Sequence, residues 1–325
     1  MFIRSDRAMA HNHEMKLFAG SAHPDLAKEV ADLLGQPVLP FETRKFPDGE
    51  LHVRVGEVVR NAHVFFIQTG AAPVNDHLIE TFLAVDAFRR GGAARISVVM
   101  AYYPYSRQER MSKGRESISA RVIADCLENQ GMTHLVFFDI HAPAIQGFFH
   151  VPVDPLSALP ILAEYFRAPE FSDCVVISPD VGRAKLAGRF AELTGHPLAV
   201  IHKRREGNNV KATHLVGDVR GMRPLFLDDM IAGGSILGEV DEVCKQYGAA
   251  GNACLAITHP ILLPKAVRML EANPNISKLV VTNTLPVGPE KRTPKVEVLS
   301  VAPLLARIIR KVHLDLSISE DLVLC

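Results

Sequence analysis

The chain has 325 residues, with 36 Lys plus Arg against 36 Asp plus Glu, and it is 48% hydrophobic and 22% charged. At roughly 150 residues per domain that length points to two domains, and the hydrophobic share excludes an intrinsically disordered chain. Balanced charge gives no overall field to draw the protein to nucleic acid or to an anionic membrane, so any anionic ligand must be held locally.

Residues 1–14 read as a disordered N-terminal extension without the apolar stretch of a signal peptide, and His11 and His13 read as solvated there. LAKEVADLL (26–34) has the three- and four-residue apolar spacing of a helix face, as do HLIETFLAVDAFRR (77–90) and SILGEVDEVCKQYG (235–248). HVFFIQ (63–68), ISVVM (96–100), LVFFDI (135–140), CVVIS (174–178), PLFLD (224–228), ACLAI (253–257) and KLVVT (278–282) read as strands buried on both faces. Strands alternating with helices predict an α/β fold with mostly parallel sheets flanked by helices. Cys126, Cys174, Cys244, Cys254 and Cys325 lack CxxC spacing and read as core thiols. No apolar run approaches the ~20 residues that span a bilayer, which makes the cytoplasm the default compartment.

One order of elements occurs twice. The strand HVFFIQ, a helix ending in RRGGAA and the strand RISVVM match PLFLDD, a helix ending in QYGAAG and the strand NACLAI, although few residues are identical. The prolines of VPVDPLSALP (151–160) place the boundary there, giving units 15–155 and 156–325.

Ligands of open parallel sheets gather at the carboxyl ends of the strands. Asp228 and Asp229 follow an apolar run and precede Ala232, Gly233, Gly234 and Ser235, which open a helix. Such a turn can wrap a phosphate with backbone N–H groups, and the carboxylates can hold sugar hydroxyls or a hydrated metal ion; a plain N-cap and tight loop is the alternative. In IHKRREGNN (201–209), Lys203, Arg204 and Arg205 suit a mobile loop that closes over a polyphosphate, and equally suit a solvated turn. His141 and Asp180 each follow a strand end and could share a magnesium ion, or serve as a capping His and a turn Asp. FPDGE (46–50) offers a turn with two carboxylates, and in YYPYSRQER (102–110) Arg107 and Gln108 could read a nucleobase edge or clamp phosphate. His52, His134 and His150 read as structural.

Taken together, KLFAGSAHPDLAKEVADLLG, RKFPDGE, YYPYSRQER, DIHAPAIQGFF, ISPDVG, HKRR, DDMI and VTNTLP followed by VEVLSVAPLLARII resemble the ribose-phosphate pyrophosphokinases, in order and in approximate spacing, from about residue 16 to 312. The resemblance implies two tandem type I phosphoribosyltransferase-like domains in a homo-oligomer, commonly a hexamer of dimers, that transfers the diphosphate of ATP to ribose 5-phosphate and feeds nucleotide biosynthesis. It implies ATP recognition by Phe46, Asp48, Gly49 and Glu50 with Arg107 and Gln108, and Mg²⁺ at His141 and Asp180. It places Lys203 and Arg205 in a catalytic loop, and ribose 5-phosphate at Arg205, Asp228, Asp229 and Ala232–Ser235. Two loops depart from the family pattern. The turn after DDMI is one residue shorter and lacks an acid, and Arg183 follows SPDVG without the usual second Gly. Competing readings are a phosphoribosyltransferase that consumes the diphosphate product, and a non-enzymatic regulatory subunit.

Overall fold

The computed structural model describes residues 13–206 and 209–322, and, for residues 203–206 and 209–213, the backbone alone. The extension expected to be disordered lies outside the described residues as far as position 12. His13 places Nδ1 2.8 Å from the Asn61 carbonyl in an exposed contact.

The first unit runs β1 (Met15–Ala19), α1 (Pro24–Leu34), β2 (Val38–Leu39), β3 (Phe41–Lys45), β4 (Leu51–Val55), β5 (His63–Gln68), α2 (Val74–Arg90), β6 (Arg95–Met100), α3 (Ser119–Gln130), β7 (His134–Phe138) and β8 (Val153–Leu156). The chain continues with α4 (Leu159–Phe166), β9 (Cys174–Ser178), α5 (Ala184–Thr194), β10 (Leu198–Glu206), β11 (Asn209–Val216), β12 (Arg223–Ile231), α6 (Ser235–Tyr247), β13 (Ala253–Pro260), α7 (Pro264–Ala272), β14 (Ile276–Thr282), β15 (Val296–Leu299) and α8 (Ala302–His313). One sheet is ordered β2-β1-β5-β6-β7-β8 and the other β11-β10-β9-β12-β13-β14-β15; β3 and β4 form a separate antiparallel hairpin. Apart from the antiparallel β10–β11 pair, neighbours in both large sheets are parallel. The orders correspond strand for strand, β1 with β9, β5 with β12, β6 with β13, so the repeated element order in the sequence is a repeated half-sheet in space.

Local chemistry accounts for the elements. All six residues of β5 are buried, as a strand covered by helices on both faces requires. Helix α1 buries Leu26, Ala27, Val30 and Ala31 along one face and stops at Gly35, whose φ of 67° is open to glycine at little cost. Cys174 and Cys254 are buried and Cys126 and Cys244 half-buried, all as free thiols; Cys325 lies outside the described residues. Among the described residues no helix is long and apolar enough to cross a membrane.

The C-terminal helix departs from the expected partition. Leu304, Leu305, Ile308 and Ile309 of α8 pack with Leu17, Leu26, Val30 and Phe65 in the core of the first sheet. Residues 302–313, which a boundary near 151–160 assigns to the second unit, therefore close the first. The apolar stripe of α8 needs an uncovered sheet face, and chain order does not say which sheet offers one.

The two sheets face each other at their carboxyl ends through a buried polar seam. Thr69 Oγ1 donates to the Thr284 carbonyl at 2.7 Å, and Thr258 Oγ1 donates to Asp139 Oδ2 at 2.7 Å. Asp139, held at φ 28°, also accepts from Ser157 Oγ at 2.6 Å and from the Ala158 N–H at 2.9 Å. The Tyr102 and His259 rings lie 4.8 Å apart across the seam.

At the opposite end of the first sheet, His63 stacks on Phe65 at 4.2 Å, and its Nε2 lies 2.9 Å from Ser97 Oγ. Burial, reinforced by the nearby Arg95, pushes its pKa down to about 3. The unfolded chain takes up this proton near pH 6.5 and the folded chain only near 3. Stability is therefore intact above 6.5 and falls on acidification between these values, by at most about 1.4 kcal/mol per pH unit for this group. Urea unfolding at pH 7 and pH 5 should show the loss, and His63→Phe should remove most of its steepness; a variant with the unchanged slope would exclude His63 as its source.

Candidate active site

The acid pair sits inside a strand rather than after it, because β12 continues to Ile231. Successive side chains of a strand leave on opposite faces, and the two carboxylates separate accordingly: Asp228 retains 24% exposure and Asp229 only 3%. Asp229 is closed off by two partners. Arg183 Nη2 lies 2.7 Å and His141 Nδ1 2.8 Å from its Oδ2, and the same Arg183 nitrogen approaches His141 Nδ1 at 2.9 Å. Arg183 Nε stands 3.7 Å from Asp228 Oδ1.

These contacts split the titration of the pair. Burial and the neighbouring Asp229 push Asp228 up to about 8. Burial also pushes Asp229 upward, but the hydrogen bond from His141 and the charge of Arg183 outweigh it and hold its carboxyl well below the usual range. One proton is thus shared near neutral pH, with Asp229 ionised and Asp228 carrying it. An ionised Asp229 favours the His141 tautomer with hydrogen on Nδ1, which leaves Nε2 as the ring acceptor.

Asp180 caps a short 3₁₀ turn, Val181–Arg183, by accepting the Arg183 N–H on Oδ1 at 3.0 Å. That turn carries Arg183 toward the acid pair. Among the described residues no group of three or more His, Cys, Asp or Glu side chains is placed to hold a metal ion. His141 is joined to Asp229 and Arg183, while Asp180 is spent partly on its own turn.

Beyond β12, Ala232 accepts the Leu263 N–H at 3.1 Å, and α6 starts after Gly234 with no side-chain cap. The requirement for glycine is local: φ is 88°, and an added Cβ would meet the Ala266 Cα at 3.2 Å. An uncapped helix start with a glycine approach leaves its first amides free to take a phosphate beside Asp228.

Lys203 and Arg205 lie in β10 and not in a loop. β10 pairs with β9 only over Leu198–Val200 and continues as an antiparallel ribbon with β11, with an irregularity between His202 and Lys203. Their side chains fall outside the described residues.

The first unit contributes a cavity of about 380 Å³ at the carboxyl ends of β5 and β6. Gly70, Ala71, Tyr102, Arg107 and Gln108 line it from one side and Ile261 from the second unit. Phe46, Asp48, Gly49 and Glu50 are not part of that lining; they form the tip of the β3–β4 hairpin. Gly49 N–H donates to the Phe46 carbonyl at 2.9 Å and takes φ 99°, while the Asp48 carboxylate accepts the Glu50 N–H at 3.1 Å. Asp48 and Gly49 thus build the turn, and Phe46, 46% exposed, is presented by it.

Sequence reasoning missed three side chains at this end of the molecule. Arg183 was visible only as a departure in loop length, and Asp139 and Glu80 carried no signal, since a lone acid between apolar residues looks like any surface position. His134, taken as structural, bridges Ser97 Oγ at 3.1 Å and Asp154 Oδ2 at 2.8 Å, away from the cleft.

Two like sheets meeting at their carboxyl ends, with an acid pair beside a phosphate-ready helix start, define a transferase of the phosphoribosyltransferase-like class. Comparison with known proteins bears this out. Residues 15–131 match the N-terminal domain of ribose phosphate pyrophosphokinase and residues 205–322 the phosphoribosyl synthetase-associated domain. A ribose-phosphate pyrophosphokinase of Caldanaerobacter subterraneus is 42% identical over 312 residues, covering 95% of this chain and 98% of that protein. One of Mycobacterium tuberculosis is 44% identical over 305 residues, covering 92% of each. The crystal structure of phosphoribosylpyrophosphate synthetase from Mycobacterium smegmatis superposes with a TM-score of 0.86 at 41% identity, covering 93% of this chain and 99% of that one. The chain belongs to the ribose-phosphate pyrophosphokinase family, and it is a transferase that forms phosphoribosyl diphosphate.

Proposed function

We propose that the enzyme moves the β,γ-diphosphate of ATP to the 1-hydroxyl of ribose 5-phosphate, giving phosphoribosyl diphosphate and AMP for nucleotide biosynthesis. The observation that carries this reading is the uncapped start of α6, which residues 232–234 separate from the strand that carries Asp228 and Asp229. The 5-phosphate rests on the backbone amides of the Ala232–Ser235 turn that opens α6, and Asp228 holds the sugar hydroxyls. The sugar oxygen attacks the β-phosphorus, the bond from that phosphorus to the bridging oxygen of AMP breaks, AMP leaves with the electron pair, and the hydroxyl proton passes to solvent. Little covalent work falls to the protein, so alignment and charge neutralisation set the rate. Lys203 and Arg205 supply cationic charge at the polyphosphate, with Arg205 also reaching the sugar phosphate. Arg107 and Gln108 line the cavity that takes the adenine, with Phe46, Asp48, Gly49 and Glu50 completing its recognition.

The donor set fits magnesium that arrives with the nucleotide. His141, through Nε2, and Asp180 would be the protein donors, with phosphate oxygens and water supplying the rest, and the ion would neutralise charge on the polyphosphate. Asp229 acts from behind by orienting His141. We extend the reading to a cytoplasmic homo-oligomer, a hexamer of dimers, which mass measurement in solution would test.

Purified protein incubated with ATP, Mg²⁺ and ribose 5-phosphate should form AMP and phosphoribosyl diphosphate one to one. Appearance of ADP and free phosphate without a sugar diphosphate would refute the assignment.

A further inference from the structure

Glu80, in the second turn of α2, is a carboxylate with 1% exposure and no cationic partner in its hydrogen bonds. Four donors converge on it. Oε1 accepts the Ser21 N–H at 3.0 Å and Thr43 Oγ1 at 2.6 Å; Oε2 accepts Ser21 Oγ at 2.6 Å and Gln68 Nε2 at 2.8 Å. Burying a polar group this completely is costly unless its hydrogen-bond partners are in place.

The donors come from three segments. Ser21 belongs to the loop after β1, Thr43 to β3, and Gln68 to the end of β5. Gln68 turns its other face on the first loop, Oε1 accepting the Ala22 N–H at 3.1 Å and the Thr69 N–H at 3.2 Å. The fit is close at Gly20, where an added Cβ would collide with the Gln68 amide. Just beyond Gln68 the chain becomes the wall of the 380 Å³ cavity at Gly70 and Ala71.

The hairpin is fixed through alternate residues of β3, as a strand laid on a helix should be. Phe41 packs on Phe66 at 5.3 Å and Phe88 at 6.0 Å, Thr43 bonds to Glu80, and Lys45 pairs with Asp76 at 2.6 Å in a more exposed contact. Of the three, the Thr43 bond is the one that reaches Glu80, and Glu80 in turn holds Gln68, two residues before the cavity wall at Gly70.

We propose that Glu80 is a positioning residue for nucleotide binding, setting the β3–β4 hairpin and its Phe46–Glu50 tip against the sheet end that bounds the cavity. The inference rests on the reading of that tip as a nucleotide-recognition element. Glu80 touches no substrate; it acts through Thr43 and Gln68. Its loss lowers the affinity for ATP and leaves the transfer step alone once ATP is bound.

The test compares Glu80→Gln, Thr43→Val and Phe46→Ala with the wild-type enzyme. Thr43→Val removes only the hairpin bond and preserves the buried acid, so it stays informative if Glu80→Gln folds poorly. The expected result is a rise in the KM for ATP of about tenfold in the Glu80 and Thr43 variants, the scale of one buried hydrogen bond. Their kcat should stay within about twofold and the KM for ribose 5-phosphate should not move. A purely structural role would lower the melting temperature and the active fraction without shifting the KM for ATP. If Phe46→Ala raises that KM while Thr43→Val leaves it unchanged, the Glu80 inference falls and the reading of the tip stands. If Phe46→Ala has no effect on it either, the inference falls with its premise.

Discussion

Lys203→Ala and Arg205→Ala are each expected to lower kcat by a factor on the order of 10²–10³, the scale of losing one preorganised donor at developing charge, while Arg204→Ala lowers it by less than about fivefold. β9 and β10 are parallel, and their pairing ends at Val200 opposite Ser178. The remainder of β10 therefore overhangs the carboxyl end of the second sheet, the end at which Asp180 follows β9 and Arg183 reaches the acid pair. Alternate residues of a strand share a face, so positions 203 and 205 act together and 204 does not. A loop without regular structure would give no such alternation. Steady-state kinetics on the three variants decides the matter. Near-normal turnover in Lys203→Ala would remove the ribbon from the mechanism, and an equal loss in all three would remove the strand geometry from the argument.

That basic segment also shows where sequence reasoning stops. Buried strands announce themselves: HVFFIQ and ACLAI are apolar on both faces because helices cover both, and both appear where expected. IHKRRE carries no such signal, since five of its six residues are polar or charged, and a loop and a strand there have the same composition. PLFLDD was legible as a strand, but its end was not. The β12–β13 register runs on through Asp228 to Ile231, and charges inside a strand look like the start of a turn until the partner that neutralises them is known. Helix α8 was not singled out by its spacing, and the sheet it covers is set by tertiary packing. The site shows the same division. The glycine turn at 233–234 follows from backbone sterics and could be read directly, whereas Asp229 passed for a ligand group because nothing in DDMI says which of two adjacent acids faces inward. The distinction depends on Arg183 and His141, 46 and 88 residues away in the chain.

Arg183 is where the second large effect is expected. Arg183→Met should destabilise the fold by about 3–5 kcal/mol, the scale of leaving a buried ion without its partner. Asp229 is 3% exposed, and its ionised state rests on the guanidinium at 2.7 Å and on the His141 hydrogen bond. Without Arg183, burial acts against the hydrogen bonds from His141 and Asp228 alone, and the carboxyl must either stay charged without a cationic partner or take up a proton. The second route weakens its hold on His141 Nδ1. The same variant should therefore lose kcat/KM by about 10- to 100-fold, as when the group orienting a ligand histidine is removed. Arg183→Lys keeps the charge but not the guanidinium plane that reaches Asp228 and Asp229 together, and should fall between the two. The double variant Arg183→Met, Asp229→Asn separates the two losses. With the buried charge gone, most of the stability should return, since a neutral pair of similar volume replaces the ion pair. Activity should not return, because an asparagine cannot hold the His141 tautomer as a carboxylate does. Urea unfolding and steady-state kinetics on the same preparations read both quantities. An Arg183→Met enzyme as stable as the wild type would show that Asp229 does not depend on the guanidinium, and recovery of turnover in the double variant would show that the pair is needed for folding alone.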